Sequence, residues 1–477
     1  MNLFYLNWVN IYHLSFSLGI ASGIACSIPF QKVGEHDNNM KAVMKFFQRL
    51  IYVILSAGLL VLSACSSTTP AGPDPLPQNS EEIQQPSKTR TALPEAGPTS
   101  TGVTASFSSP HYFEFPDAQS VSVAAGGGSA YIVYGHEKSL FVSRSSDGGQ
   151  TFTEPVQATH NIDAFVLPVE RPAIAVNRRG DVGVAWLEHA QDGSGTNVWY
   201  ASSMDAGHTF GSGMLVSTEH GRETVMVHLQ LDETGNPLLF WIRDVDLRFA
   251  RSFDQGKSFD LVETIGEGSC ECCQPSTVVL EDQVIVAYRS LVEDGSEGFI
   301  RDIAVVSSLD GGRSFGPVTQ VSDEHWYLDA CPIAGPSLAH HDGRLYAAWM
   351  DGRTAPRGSH YDGDIWFALS GDLGKTFSAN RRVNAGESTH NTLPVLAVGQ
   401  SGRIHLAWEG QDQDAIYYTT SDDSGENFTP GALLAGNEAP ERGSPSKPSI
   451  AVDGRGQVYL AWLDRSGARV VSWKDQP

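Results

Sequence analysis

From residue 131 onward the chain consists of short apolar runs separated by stretches rich in Gly, Asp, Ser and Pro. Seven of these runs share one form and close on an aromatic residue: 131–134 (YIVY), 182–186 (VGVAW), 238–241 (LLFW), 284–288 (VIVAY), 345–349 (LYAAW), 404–408 (IHLAW) and 458–462 (VYLAW). Runs of this length, β-branched or aromatic and bounded by turn formers, predict strands rather than helices. Ahead of each lies another short apolar run, often opened by proline, as in 172–176 (PAIAV), 394–398 (PVLAV) and 448–452 (PSIAV). A third run with one apolar face follows, as in 197–200 (NVWY), 246–249 (DLRF), 302–305 (DIAV), 364–367 (DIWF) and Asp414 with Ile416 and Tyr417.

Most of these third runs lead into one recurring octet. Residues 145–152 (SSDGGQTF), 203–210 (SMDAGHTF), 252–259 (SFDQGKSF), 308–315 (SLDGGRSF), 370–377 (SGDLGKTF) and 421–428 (SDDSGENF) all fit S-x-D-x-G-x-[TSN]-F. Their aspartates, Asp147, Asp205, Asp254, Asp310, Asp372 and Asp423, stand 58, 49, 56, 62 and 51 residues apart. In such a turn the carboxylate accepts backbone amides and the glycine supplies positive φ. The phenylalanine is expected to plug the space beside the following strand. These residues hold turns together; they are not candidate catalysts.

With the strand that leaves the octet, each unit has four antiparallel strands, and units of about 50 residues repeated around an axis describe a β-propeller, where radial closure protects the strand edges. The 374 residues of 104–477 hold close to seven such units. Seven blades are expected, with six as the alternative. The last unit has three strands and no octet, so a strand near 105–115 is expected to complete it from the N-terminus. In an up-and-down blade the octets mark one end of the ring, the bottom. The polar residues that gather at the top are Arg171, Arg222, Arg243, Arg289, Arg301, Asp302, Asp351, Arg353, Glu409, Asp464 and Arg465.

The chain before residue 104 reads differently. Residues 50–62 (LIYVILSAGLLVL) follow Lys45 and Arg49 and precede Ser63, Ala64 and Cys65. This charged start, short apolar middle and small-residue end predict an export signal over 40–64. The ending at Cys65 resembles a bacterial lipobox, which implies lipidation of that cysteine and sorting to the outer membrane, since no Asp follows it. Residues 1–39 are read as lying upstream of the true start, at Met40 or Met44. Residues 65–103 carry little large apolar surface and many prolines, the composition of a disordered tether.

Composition narrows the partners. The net charge is −23 and no basic stripe stands out, which argues against nucleic acid, whose binding depends on phosphate neutralisation. The octets resemble the Asp-boxes, or BNR repeats, of bacterial sialidases, a likeness that covers 104–477. It implies a glycosidase releasing a terminal acidic sugar, with a cluster of arginines gripping the substrate carboxylate bidentately. Arg171, Arg289 and Arg353 are the candidates for that cluster, with Arg301, Asp302 and Asp351 beside them. The family's F-R-I-P motif is missing, sialidase propellers have six blades, and no Tyr and Glu pair stands out as nucleophile. A propeller that binds a glycan or a protein without turnover is therefore the second reading.

The cysteines supply a third. Of six, Cys270, Cys272, Cys273 and Cys331 open the first strands of blades 4 and 5, near the mouth of the channel. In an exported protein they are expected to form two disulfides. A bond between the neighbours Cys272 and Cys273 is strained, which leaves two pairings. The alternative is a thiolate site for a soft metal such as copper(I), with His325, Met350 or His360 as helpers, in a metal or redox protein. Otherwise no cofactor is expected.

Overall fold

The computed structural model describes residue 107 and residues 109–475, save short stretches at 161, 167–169, 191–192, 194, 221–223, 260, 294–297, 323, 329, 356–361, 387 and 437–442. The signal, Cys65, the tether, Arg222 and His360 lie outside these residues.

Among the described residues the strands form seven four-stranded antiparallel sheets, the blades of a propeller, and a small two-stranded ribbon of Val292–Glu293 and Phe299–Ile300. Blade 2 shows the pattern: Ala173–Val176 innermost, then Val182–His189, Gly195–Ser203 and Met214–His220 outermost. The seven aromatic-ended runs are the second strands. Each is covered on both faces, which is why they read as continuous apolar runs rather than alternating ones.

The hydrophobic core is divided among the seams. Seven clusters of buried side chains each join two neighbouring blades, the last joining blade 7 to blade 1. Trp241, Trp349 and Trp408, at the ends of three second strands, are fully buried there. The ring closes as expected. His111–Pro116 pairs with Gly467–Lys474, so the N-terminal strand is the outermost strand of a blade whose other three strands come from the C-terminus.

The octets carry the predicted turn chemistry. In blade 2 the Oγ of Ser203 donates to Asp205 at 2.7 Å, the amide of Gly207 donates to that Oγ at 2.8 Å, and Thr209 donates both its amide and its hydroxyl to the Asp205 carboxylate. The phenylalanine does something other than expected. Phe315 of blade 4 packs against Phe249 of blade 3 at 5.3 Å, and Phe428 of blade 6 against Phe367 of blade 5 at 5.2 Å. It plugs the seam to the preceding blade, because the turn overhangs that side. The glycine faces the same way. A Cβ on Gly256 would lie 2.3 Å from the Tyr200 ring of blade 2, so positive φ and lack of space both require glycine there.

Three inner strands carry a bulge at their top end, between Val225 and His228, between Thr392 and Val395, and between Ser446 and Ser449. Met226, Leu393 and Lys447 take positive φ at these bulges. A carboxylate from the preceding blade holds two of them: Glu170 accepts the amides of Met226 and Val227, and Glu409 accepts that of Lys447 at 3.0 Å.

Candidate functional site

The seven inner strands surround a central cavity of about 300 Å³, to which every blade contributes side chains. Its wall is laced by serines. Ser449 of blade 7 accepts the amide of Val123 of blade 1, Ser276 of blade 4 that of Leu338 of blade 5, and Ser337 of blade 5 that of Leu396 of blade 6. Small polar side chains suit this position, since converging strands leave little room and their outward amides need acceptors.

The charge of the cavity comes from few residues. Arg171, Lys447 and His228 line it, and Glu409 faces Arg171 and Lys447. Burial pulls the Arg171 guanidinium down to about 10, partly opposed by Glu409, and lowers the Lys447 ammonium too. Burial, with Arg171 alongside, lowers His228 to about 4 and keeps the imidazole neutral. Burial raises Glu170 to about 7, against the two amides it accepts. Arg171 Nη2 and His228 Nε2 are buried without a hydrogen-bond partner. Two cations that face one carboxylate, with a guanidinium nitrogen left without a partner, can accommodate an anion.

Of the six polar residues expected to contact a ligand, only Arg171 lines the cavity. Arg289 is fully buried and donates to three main-chain carbonyls, Ala334 at 2.9 Å, Arg301 at 2.7 Å and Met350 at 2.6 Å. Its fork ties the top loops of blades 4 and 5 together. Arg301 donates to Leu328 O and to the sulfur of Cys270, both at 3.0 Å. Asp302 accepts the amides of His325 and Trp326. Asp351 accepts the Trp349 indole and Arg353, and Arg353 also reaches Asn380 and stacks 4.1 Å over Trp366. Of the three arginines expected to form a cluster, Arg171 lines the cavity, while Arg289 and Arg353 are committed to other partners. Elsewhere at the top, Arg243 pairs with Glu219 and Asp464 with Arg469.

Lys447 and His228 were not singled out by the sequence, yet a signal for Lys447 was present. The residue before the first-strand proline lines the cavity in five blades: Arg171, Gln274, Gly335, Leu393 and Lys447. Arg171-Pro172 and Lys447-Pro448 are equivalent positions in the repeat.

The four cysteines meet where expected, ahead of the inner strands Ser276–Leu280 and Ser337–His341. Cys272 is bonded to Cys331, one of the two pairings left open, whereas Cys270 and Cys273 are thiols rather than a second disulfide. The sulfurs of Cys270, Cys272 and Cys273 all lie within 4.8 Å of one another. With Cys272 bonded, Cys270 and Cys273 remain as the donors that could hold a soft metal.

No family model matches the sequence, and no curated protein does. Among solved structures the chain is similar to an α-L-arabinanase of Penicillium chrysogenum, with 14% identity, a TM-score of 0.43 and coverage of 79% of this chain and 98% of that one. It is also similar to an α-L-arabinofuranosidase of Fusarium graminearum, with 14% identity, a TM-score of 0.44 and coverage of 76% and 97%. A third likeness is to a variant of the NanB sialidase of Streptococcus pneumoniae, with 10% identity, a TM-score of 0.40 and coverage of 78% and 68%. The seven-bladed architecture rests on the strand pairing itself.

Proposed function

We propose that this protein binds a carboxylate-bearing terminal sugar, of sialic-acid type, in the central cavity of its propeller. The observation that carries the reading is the half-buried Arg171, whose Nη2 is buried without a partner and which shares the cavity with Lys447. A guanidinium grips a carboxylate with two parallel bonds, and a nearby ammonium adds charge without demanding geometry. The hydroxyls of Ser122, Ser276, Ser337 and Ser449 and the amides of Gln230 and Gln274 line the same space and suit the hydroxyls of a saccharide.

Binding is favoured over turnover. Among the described residues no tyrosine lines the cavity, so the nucleophile of a sialidase has no counterpart there. Hydrolysis is the second reading and rests on Glu170, which adjoins Arg171 beside the cavity rather than lining it and which burial raises to about 7, so that it retains a proton near neutrality as a general acid must.

Calorimetric titration of the full chain with N-acetylneuraminic acid tests the first reading, and release of fluorophore from an aryl sialoside tests the second. Saturable binding that Arg171→Gln weakens at least tenfold supports the site. Heat of binding unchanged in Arg171→Gln and Lys447→Gln would refute it. Turnover that Glu170→Gln removes while binding persists would make the protein a glycosidase.

A further inference from the structure

We propose that the four cysteines form a thiol–disulfide relay, in which the buried pair Cys270 and Cys273 exchanges with the cavity-lining disulfide Cys272–Cys331.

The pair is built by the backbone. Cys273 donates its amide to Cys270 O at 3.2 Å, closing a tight turn whose first and last residues are the two cysteines. Such a turn holds its end Cα atoms within about 7 Å, the range a disulfide spans. The turn is anchored in turn by the Cys270 amide, which donates to Arg289 O at 2.9 Å. The two sulfurs lie 2.8 Å apart, and both residues are fully buried. Cys272, between them in sequence, lines the cavity, and its sulfur is 3.5 Å from that of Cys270 and 3.8 Å from that of Cys273. A dithiol therefore sits in van der Waals contact with a disulfide, with the disulfide on the accessible side.

The two thiols are not equivalent. Arg301 Nη1 donates to Cys270 Sγ at 3.0 Å, so a cation lies against that sulfur. That contact favours the Cys270 thiolate, which makes Cys270 the attacking thiol and Cys273 the resolving one, the division of labour exchange requires.

The steps balance within the chain. Cys270 thiolate attacks Cys272 Sγ, the Cys272–Cys331 bond breaks, and Cys331 leaves with the proton that Cys270 gave up. Cys273 then attacks Cys270 Sγ, the Cys270–Cys272 bond breaks, and Cys272 takes the proton of Cys273. One disulfide replaces another and no electron leaves the protein. An external disulfide then re-forms Cys272–Cys331, its own S–S bond becoming two thiols. An external dithiol runs the sequence backwards. The partner class is thus a dithiol or disulfide able to reach the cavity mouth, a chemistry separate from the anion site.

The test uses the unmodified full chain. It is equilibrated in glutathione buffers of graded oxidised-to-reduced ratio, quenched in acid, alkylated and mapped by fragmentation mass spectrometry. At intermediate ratios the expected result is coexistence of two single-disulfide species, one linking Cys272 to Cys331 and one linking Cys270 to Cys273, with both links present under oxidised glutathione alone. Alkylation of Cys270 and Cys273 at every ratio would overturn the relay. So would an intact Cys272–Cys331 bond in every species that carries the Cys270–Cys273 link. Retention of a soft metal that shields Cys270 and Cys273, seen by native mass spectrometry, would overturn it in favour of a metal site.

Discussion

The Oγ of Ser449, on the inner strand of the last blade, accepts the backbone amide of Val123, on the inner strand of the first, at 3.1 Å. The bond joins the last blade to the first, across the seam that the N-terminal strand closes from its outer side. On the outer side of that seam Phe115 packs between Tyr134 at 5.3 Å and Phe152 at 5.6 Å, with Phe113 beside it.

Phe115→Ala should therefore cost far more than its place near the chain's beginning suggests. Truncating a buried phenylalanine typically costs ~3–5 kcal/mol, and Phe115 is only 6% exposed. The midpoint of urea unfolding should fall steeply in this variant and little in Tyr112→Ala, whose side chain is 68% exposed on the same strand.

The octet glycines test the seam directly. Gly256→Ala meets both the left-handed penalty of ~1–2 kcal/mol and a clash with the Tyr200 ring, which overpacking experience puts at ~1–3 kcal/mol. Gly128 has φ of 76° and nothing within 4 Å of a Cβ, so Gly128→Ala should show the first cost alone. Equal loss in the two variants would mean that the octet glycine does not wedge the blades together.

Acid stability should follow the octets. Turn hydroxyls and amides hold the carboxyls of Asp147, Asp205, Asp372 and Asp423 down at about 2, below the usual range near 3.8. A depressed carboxylate contributes stability that is present above its unfolded value and lost as pH falls through the folded one. The melting temperature should decline between about pH 5 and pH 2, and replacing the four by Asn should flatten that slope.

Glu170 has the opposite sign. Its raised value, about 7 against 4.5, means the folded protein holds a proton the unfolded chain releases. The contribution is full below pH 4.5 and lost as pH rises through 7. Glu170→Gln should therefore compare more favourably with the unaltered protein at pH 8 than at pH 5, measured by chemical denaturation at each pH.

The blades were legible in the sequence because their signals are local. A continuous apolar run closed by tryptophan, and an octet whose Ser, Asp and Gly bond within eight residues, need no knowledge of distant contacts. What failed was long-range. Phe315 and Phe428 lie beside their own following strands in sequence, yet the twist of the ring hands them to the blade before. Arg289 and Arg171 look alike on paper, one closing a second strand and one opening a first. The topology gives Arg289 three carbonyls and leaves Arg171 facing the cavity. Lys447 carries no local mark of its own; only the repeat position it shares with Arg171, before the first-strand proline, points to the cavity.

The pairing of His111 with Ser472 joins residues from opposite ends of the propeller. Since chains emerge from the ribosome N-terminus first, the first strand must wait unpaired while six blades are made. The ring then closes through its most distant contacts, the slowest kind to form. Synthesis that stops short of residue 467 leaves His111–Pro116 without the strand it pairs with, so a shortened product keeps an open edge.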